Sequence, residues 1–180
     1  MTDGFLGVDD PCCRPESASV YVLPVPYEGT VTYGKGTAQG PEAIIDASRH
    51  IETYDEYIGR ETYRQGIATL PPLETTGTPE EVVSRLRDQV AAHIGDGRHV
   101  VTLGGEHSIS AGAIAAYAEA YPGIGIVQFD AHADLRETYE GSRWNHACTM
   151  ARVHDVVTAD RVVQLGIRSM SAEEAERIAT

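Results

Sequence analysis

The sequence predicts an α/β fold with a mainly parallel sheet covered by helices on both faces, and three observations carry that prediction. Short apolar runs alternate with helical patterns, the signature of βαβ units. The polar constellations of the chain fall where those runs end, at the loops where ligands gather in such sheets. A length of 180 residues with 42% hydrophobic content gives one domain with a core of its own.

The elements follow in order. Residues 1–18 are polar, punctuated by Pro and Cys, and read as an irregular lead-in. Ser19–Leu23 is a first strand, stopped by Pro24 and Pro26. A Gly-rich loop from Glu28 to Gly40 precedes a helix opened by Pro41 and Glu42, an N-terminal start signal. The clearest helix covers residues 79–94: Thr78 and Glu81 form a capping box, and Val82, Val83, Leu86, Val90 and Ile94 recur at helical spacing. His99–Leu103 is a strand ending at Gly104-Gly105, followed by an Ala-rich helix over 109–120. Ile124–Phe129 is a strand ending on Asp130, a helix covers 146–157, and Arg161–Ile167 is a further strand. Ser171 and Glu174 make a second capping box. Thr180 falls about two turns into that last helix and reads as a point of truncation.

Charge narrows the function. With 14 Lys+Arg against 27 Asp+Glu, a net charge of −13 argues against a nucleic-acid partner. No apolar run is long enough to span a membrane, and the first residues lack the basic and apolar regions of a signal peptide. Three cysteines, two of them adjacent at Cys12 and Cys13, make no disulfide framework and fit a reducing cytoplasm.

The sharpest local signal is Asp130-Ala131-His132-Ala133-Asp134. If the extended form continues past the strand, residues 130, 132 and 134 share one side and offer two carboxylates and an imidazole to a divalent cation. A solvated acidic turn with an incidental His is the plainer reading. Gly104-Gly105-Glu106-His107-Ser108 also follows a strand, and its glycines permit a tight turn that brings His107 to the same rim. One helix separates the two motifs, which predicts adjacent strands. Mixed His and Asp donors favour Mn²⁺ over a thiolate-type zinc site. His146 is a general acid–base or substrate-contact candidate, or a helix-start His. Gly29–Gly36 lacks the phosphate-loop pattern and reads as a loop at a substrate mouth or subunit contact.

Together these residues resemble the ureohydrolase family of arginase, agmatinase and relatives, most closely its agmatinase branch. The matching segments are Val25–Thr30, Gly40–Ile44, Gly104–Ser108, Phe129–Asp134 and His146. The resemblance implies a three-layer α/β/α domain, of which residues 1–180 are the N-terminal part, truncated on the C-terminal side. It implies a dimanganese centre in which His107 and Asp134 ligate one metal, His132 the other, and Asp130 bridges them. His146 falls where the family keeps a His near the guanidinium group, as proton shuttle or substrate contact. The implied chemistry is hydroxide attack on a guanidinium carbon, releasing urea and an amine.

Asp134 is followed by Leu135-Arg136-Glu137-Thr138-Tyr139, which resembles the agmatinase pattern and favours agmatine, giving putrescine and urea in polyamine biosynthesis. Guanidinobutyrate stays open, because Arg136 or Arg143 can meet a carboxylate, as do arginine and formimidoylglutamate. Asn145 stands where a Ser is usual and Ala151 where an Arg often stands, which bears on fine specificity. The resemblance also implies a cytoplasmic homo-oligomer, a trimer or hexamer, and an Asp-x-Asp metal motif after residue 180. Lacking that motif, the 180-residue polypeptide alone is expected to turn over little or not at all; a non-catalytic metal-binding module is the reading from another class.

Overall fold

The computed structural model describes residues 4–179. Met1–Asp3, read as free of a signal peptide, and Thr180, read as a truncation point, lie outside the described residues. The described chain falls into two compact units. The first takes the residues up to Glu28 with 35–75 and 92–105; the second takes 29–34, 76–91 and the residues from Glu106 onward.

The first unit is built on a parallel sheet of β1 (Val20–Val25), β4 (Ile67–Thr69) and β5 (His99–Gly104), in the order β4-β1-β5. Val20 pairs with Ile67 on one side and with His99 on the other. Strand β1 is buried from Tyr21 to Val25, as a central parallel strand must be. It runs through Pro24, where the sequence predicts its end. The Pro24 carbonyl accepts the Leu73 N–H at 2.9 Å on the β4 flank, where the β4 ladder has already stopped at Thr69. The missing N–H of Pro24 faces that same flank and costs no ladder bond. Helix α1 (Gly40–Ser48) starts as predicted, with Pro41 in its first turn and Glu42 beside it. Strand β4 and the short antiparallel pair β2 (Tyr54–Asp55) and β3 (Arg60–Glu61) were not expected from the sequence. Each is only two or three residues long, too short to show a period.

In the second unit lie most of helix α2 (Pro79–Gly95), α3 (Ser110–Ala120), β6 (Ile126–Phe129), α4 (Thr149–His154), β7 (Val162–Leu165) and α5 (Ala172–Ala179). Both predicted capping boxes form. The Thr78 N–H donates to Glu81 at 2.7 Å and the Glu81 N–H to the Thr78 hydroxyl at 3.3 Å; Ser171 and Glu174 repeat the pattern at 2.7 and 3.3 Å. Val82, Val83, Leu86 and Val90 are the buried face of α2. A Cβ on Gly112 of α3 would run into the Val83 carbonyl, so the two helix backbones touch there. Strands β6 and β7 pair in parallel, Ile126 opposite Val162. Ala133, Leu135, Met150, Val153 and Val157 form a buried cluster against which Ile114, Ile124, Ile126, Val162 and Ile167 pack. Burial of each large aliphatic side chain there contributes about 1.5–3 kcal/mol.

Two expectations change. Strand β5, which the motif spacing predicts beside β6, pairs with β1, and β6 pairs with β7. The helix predicted over 146–157 is a 3-10 turn (His146–Cys148) leading into a short α4, because the Asn145 side chain caps the Ala147 N–H at 3.1 Å and starts the segment as a tight turn. No helix among the described residues is long and apolar enough to cross a membrane.

Candidate metal centre

Strand β5 ends at Gly104, and a Cβ on Gly105 would collide with the Tyr27 carbonyl oxygen, so only glycine fits the turn. The residues that follow belong to the second unit. Glu106 is 4% exposed, and its carboxylate accepts three hydrogen bonds: from the Thr30 N–H at 2.7 Å, from the Thr30 hydroxyl, and from the Ser108 hydroxyl at 2.7 Å. His107 opens a 3-10 turn, His107–Ile109, and its ring is half-buried.

After β6 ends at Phe129 the chain does not stay extended. His132 makes one parallel bridge with Ser169, and Asp134 sits in the left-handed region at φ +52°. Asp and Asn tolerate that conformation better than most residues. The Asp134 carbonyl accepts the N–H groups of Met150 (2.9 Å) and Ala151 (3.2 Å), which binds the turn to the start of α4.

The turn therefore departs from the period-two expectation. Single ligand atoms of His107, Asp130 and Asp134 all lie within 4.8 Å of one another. His107 Nε2 stands 3.4 Å from Asp134 Oδ2. His132 is not in this group: its side chain is 64% exposed, with Nδ1 3.4 Å from Asp130 Oδ1. Asp130 Oδ1 also accepts the His132 N–H at 2.8 Å.

Three converging groups of this kind could hold a metal ion. Asp134 is buried, and its Oδ2 has no hydrogen-bond donor among the described residues. Burial, and after it the Asp130 charge, pushes the Asp134 carboxyl up to about 6. Burial also draws His107 below the ordinary imidazole value, against the pull of Asp130, so its ring is neutral and its lone pair available at neutral pH. For Asp130, burial raises the carboxyl, but the His132 and Ala131 N–H groups and the neighbouring imidazoles outweigh it and hold it low. An orphaned buried carboxylate oxygen beside a second carboxylate and a neutral imidazole fits a divalent cation of the Mn²⁺ type.

His146 stands next to this group, its ring centroid 6.5 Å from that of His107 and 6.0 Å from that of Tyr139. Its orientation comes from Thr30. His146 Nδ1 lies 2.8 Å from the Thr30 carbonyl oxygen, and the His146 N–H donates to the Thr30 hydroxyl at 3.1 Å. A carbonyl only accepts, so Nδ1 carries the proton and the neutral ring keeps Nε2 open.

Arg136 is placed differently from a free carboxylate receptor. Its Nε lies 3.7 Å from the buried Glu174 carboxylate, and its guanidinium stacks over the Tyr139 ring at 4.6 Å. Thr30, Glu106 and Tyr139 shape the site without having been singled out for it from the sequence. The one available hint was Glu106, a carboxylate between two residues of a Gly-rich strand end, where a buried acid has to find donors.

Comparison with known proteins bears on the family and the fold. A sequence profile of the arginase family matches residues 18–180. The chain is 38% identical over 168 residues to the N(1)-aminopropylagmatine ureohydrolase of Synechocystis sp., covering 89% of this chain and 54% of that protein. It is 32% identical over 166 residues to an agmatinase of Bacillus anthracis, covering 89% and 56%. The crystal structure of the agmatine ureohydrolase of Thermoplasma volcanium superposes with a TM-score of 0.86 at 32% identity, over 98% of this chain and 58% of that one. The chain spans about half the length of the curated relatives it matches. An arginase-like α/β fold, parallel pairing and the family motifs in their expected order all agree: the chain belongs to the arginase family.

Proposed function

We propose that this chain is the N-terminal part of one ureohydrolase domain that hydrolyses a small cationic guanidino compound, agmatine foremost, to an amine and urea. The observation that carries the reading is the convergence of His107, Asp130 and Asp134, with a buried carboxylate oxygen left for a cation, beside a His146 whose Nε2 is open. His107 and Asp134 would hold one Mn²⁺, Asp130 would bridge to a second, and His132 would serve the second from the exposed side. Divalent cations held there would lower the pKa of a bound water from 15.7 to about 7 and so supply hydroxide at neutral pH.

The protein's own groups do the rest. The net charge of −13 is compatible with a cationic guanidino compound. His146, fixed by Thr30 with its proton on Nδ1, takes up and delivers a proton at Nε2, which suits departure of the amine. Arg136, held by Glu174 and stacked on Tyr139, would contact substrate from the turn after Asp134.

A second substrate, N(1)-aminopropylagmatine, is favoured by the 38% identical relative that is named for it. Polyamine biosynthesis is the setting either substrate implies, and a homo-oligomer in the cytoplasm is the assembly proposed. Mn²⁺ binding by the purified chain, read by electron paramagnetic resonance, tests the centre: binding that weakens sharply in Asp134→Asn supports it, and equal binding by both proteins removes it. Urea release from agmatine, N(1)-aminopropylagmatine, arginine and guanidinobutyrate by a Mn²⁺-loaded protein extended through the later Asp-x-Asp motif then ranks the substrates.

A further inference from the structure

Cys12 and Cys13 lie in the first unit, in a 3-10 turn (Pro11–Cys13) that Asp10 caps by accepting the Cys12 N–H at 2.9 Å. Neighbouring side chains on such a turn usually diverge. Here both sulfurs face the same way, 3.7 Å apart, with the Tyr63 carbonyl oxygen 3.9 Å from one and 4.0 Å from the other. Both thiols are half-buried and reach solvent in part.

We propose that Cys12 and Cys13 form a bidentate dithiol site for a thiophilic trivalent arsenical. The spacing is the first argument. Two sulfurs each about 2.3 Å from one shared centre, at angles near 95–110°, stand roughly 3.4–3.8 Å apart. The observed separation already matches, so capture needs no rearrangement of the turn. A disulfide does not match. Adjacent Cα atoms across a trans peptide are about 3.8 Å apart, under the usual disulfide range of about 4.4–6.8 Å.

The surroundings are the second argument. A monosubstituted arsenical needs two thiols and brings its own third substituent, and two thiols are what the turn offers. Condensation of the arsenic oxide with the pair breaks two S–H bonds and the As=O bond, forms two As–S bonds and releases one water. The oxidation state of arsenic is unchanged, and no co-reactant is required. Losing both S–H groups leaves the Tyr63 carbonyl satisfied, because it also accepts the Gly66 N–H at 2.8 Å. The hydrogen bond to Asp10, then burial, pushes the Cys12 thiol up to about 12, which keeps it protonated and slow toward ordinary alkylation. That favours a reagent whose oxygen leaves with the thiol protons. Cys148, the third cysteine, is buried alone in the second unit, its thiol 3.7 Å from the Ser142 carbonyl.

Phenylarsine oxide and the reduced 180-residue chain provide the test. Intact-mass measurement should show one phenylarsenic group per chain with loss of one water, removed by a dithiol and not by the same concentration of a monothiol. Cys12→Ser and Cys13→Ser should each lower affinity by about 100-fold or more, the usual gain from a second tethered contact, while Cys148→Ser leaves it unchanged. Fragmentation of the unmutated adduct should place the arsenic on the segment that contains both adjacent cysteines, which decides the matter even if a serine variant fails to fold. Arsenic found on Cys148, reversal by a monothiol, or unchanged affinity in either serine variant at position 12 or 13 would overturn the proposal.

Discussion

Two buried carboxylates of the second unit, Glu106 and Asp134, are nearly alike in exposure at 4% and 6% and opposite in what they do with their lone pairs. Glu106 is saturated: Thr30 and Ser108 donate three hydrogen bonds to it. Asp134 leaves Oδ2 without a donor. Burial alone therefore does not mark a ligand. An acid that the fold has already satisfied builds the scaffold, and one that the fold leaves unsatisfied is available to a cation. Glu174 belongs with Glu106, since it accepts the N–H groups of Leu135 (2.9 Å) and Ser171 (2.7 Å) and faces Arg136.

The comparison breaks most visibly at Glu106. Replacing it with Ala should cost about 4 kcal/mol in a denaturant melt, because it removes several bonds to a charged acceptor, each worth about 1.5–3 kcal/mol, and orphans the Thr30 donors. Asp134→Asn, by contrast, should leave the metal-free chain as stable as the parent or more so at neutral pH. A large loss in Asp134→Asn and none in Glu106→Ala would reverse the assignment.

The pH dependence sharpens the same contrast. The folded-state value of Asp134 lies near 6, above its unfolded value of 3.8. Its contribution to stability is therefore complete below 3.8 and lost as pH rises through about 6, a change of about 3 kcal/mol for the metal-free chain. Glu174 runs the other way: burial raises it, but the Ser171 and Leu135 N–H groups, the Ser171 hydroxyl and Arg136 outweigh that and lower it. Its contribution is present above 4.5 and lost as pH falls through its depressed value. Thermal melts at pH 7 and pH 5 should show the metal-free parent gaining stability on mild acidification and Asp134→Asn gaining less.

Added Mn²⁺ should cancel the penalty at Asp134. At a free concentration 100 times the dissociation constant the parent gains about 2.7 kcal/mol, and Asp134→Asn a small fraction of that. The smallest effect belongs to Thr30→Val, about 2 kcal/mol from the hydroxyl bond lost to Glu106 and the acceptor lost to the His146 N–H. Nitrogen NMR of the imidazole should show its proton still on Nδ1, because the Thr30 carbonyl is kept.

Much of the scaffold was legible in the sequence because its determinants are local. The Thr78–Glu81 and Ser171–Glu174 boxes are four-residue signals, and both form. The parallel α/β class followed from alternation alone. The site was legible in composition more than in geometry. His107, Asp130 and Asp134 converge, but His132 stands apart and exposed, and the turn that ends with Asp134 in a left-handed conformation is not something strand periodicity encodes. Thr30 was hidden for a different reason: it meets Glu106 and His146 across separations of 76 and 116 residues, and no local pattern announces such a partner. Glu174 was recognised as a cap, while its reach to Leu135 depends on tertiary packing.

Asp134 carries a consequence for how this chain can vary. Its backbone, at φ +52°, tolerates few residues, and its carbonyl anchors two N–H groups at the start of α4. Its side chain has to be an acid if the cation is to be held. Asn satisfies the first demand and not the second; Glu carries the acid, on a longer side chain less suited to the turn. Neither neighbour in chemical space meets both requirements, so a substitution here that keeps the turn gives up the acid, and one that keeps the acid strains the turn.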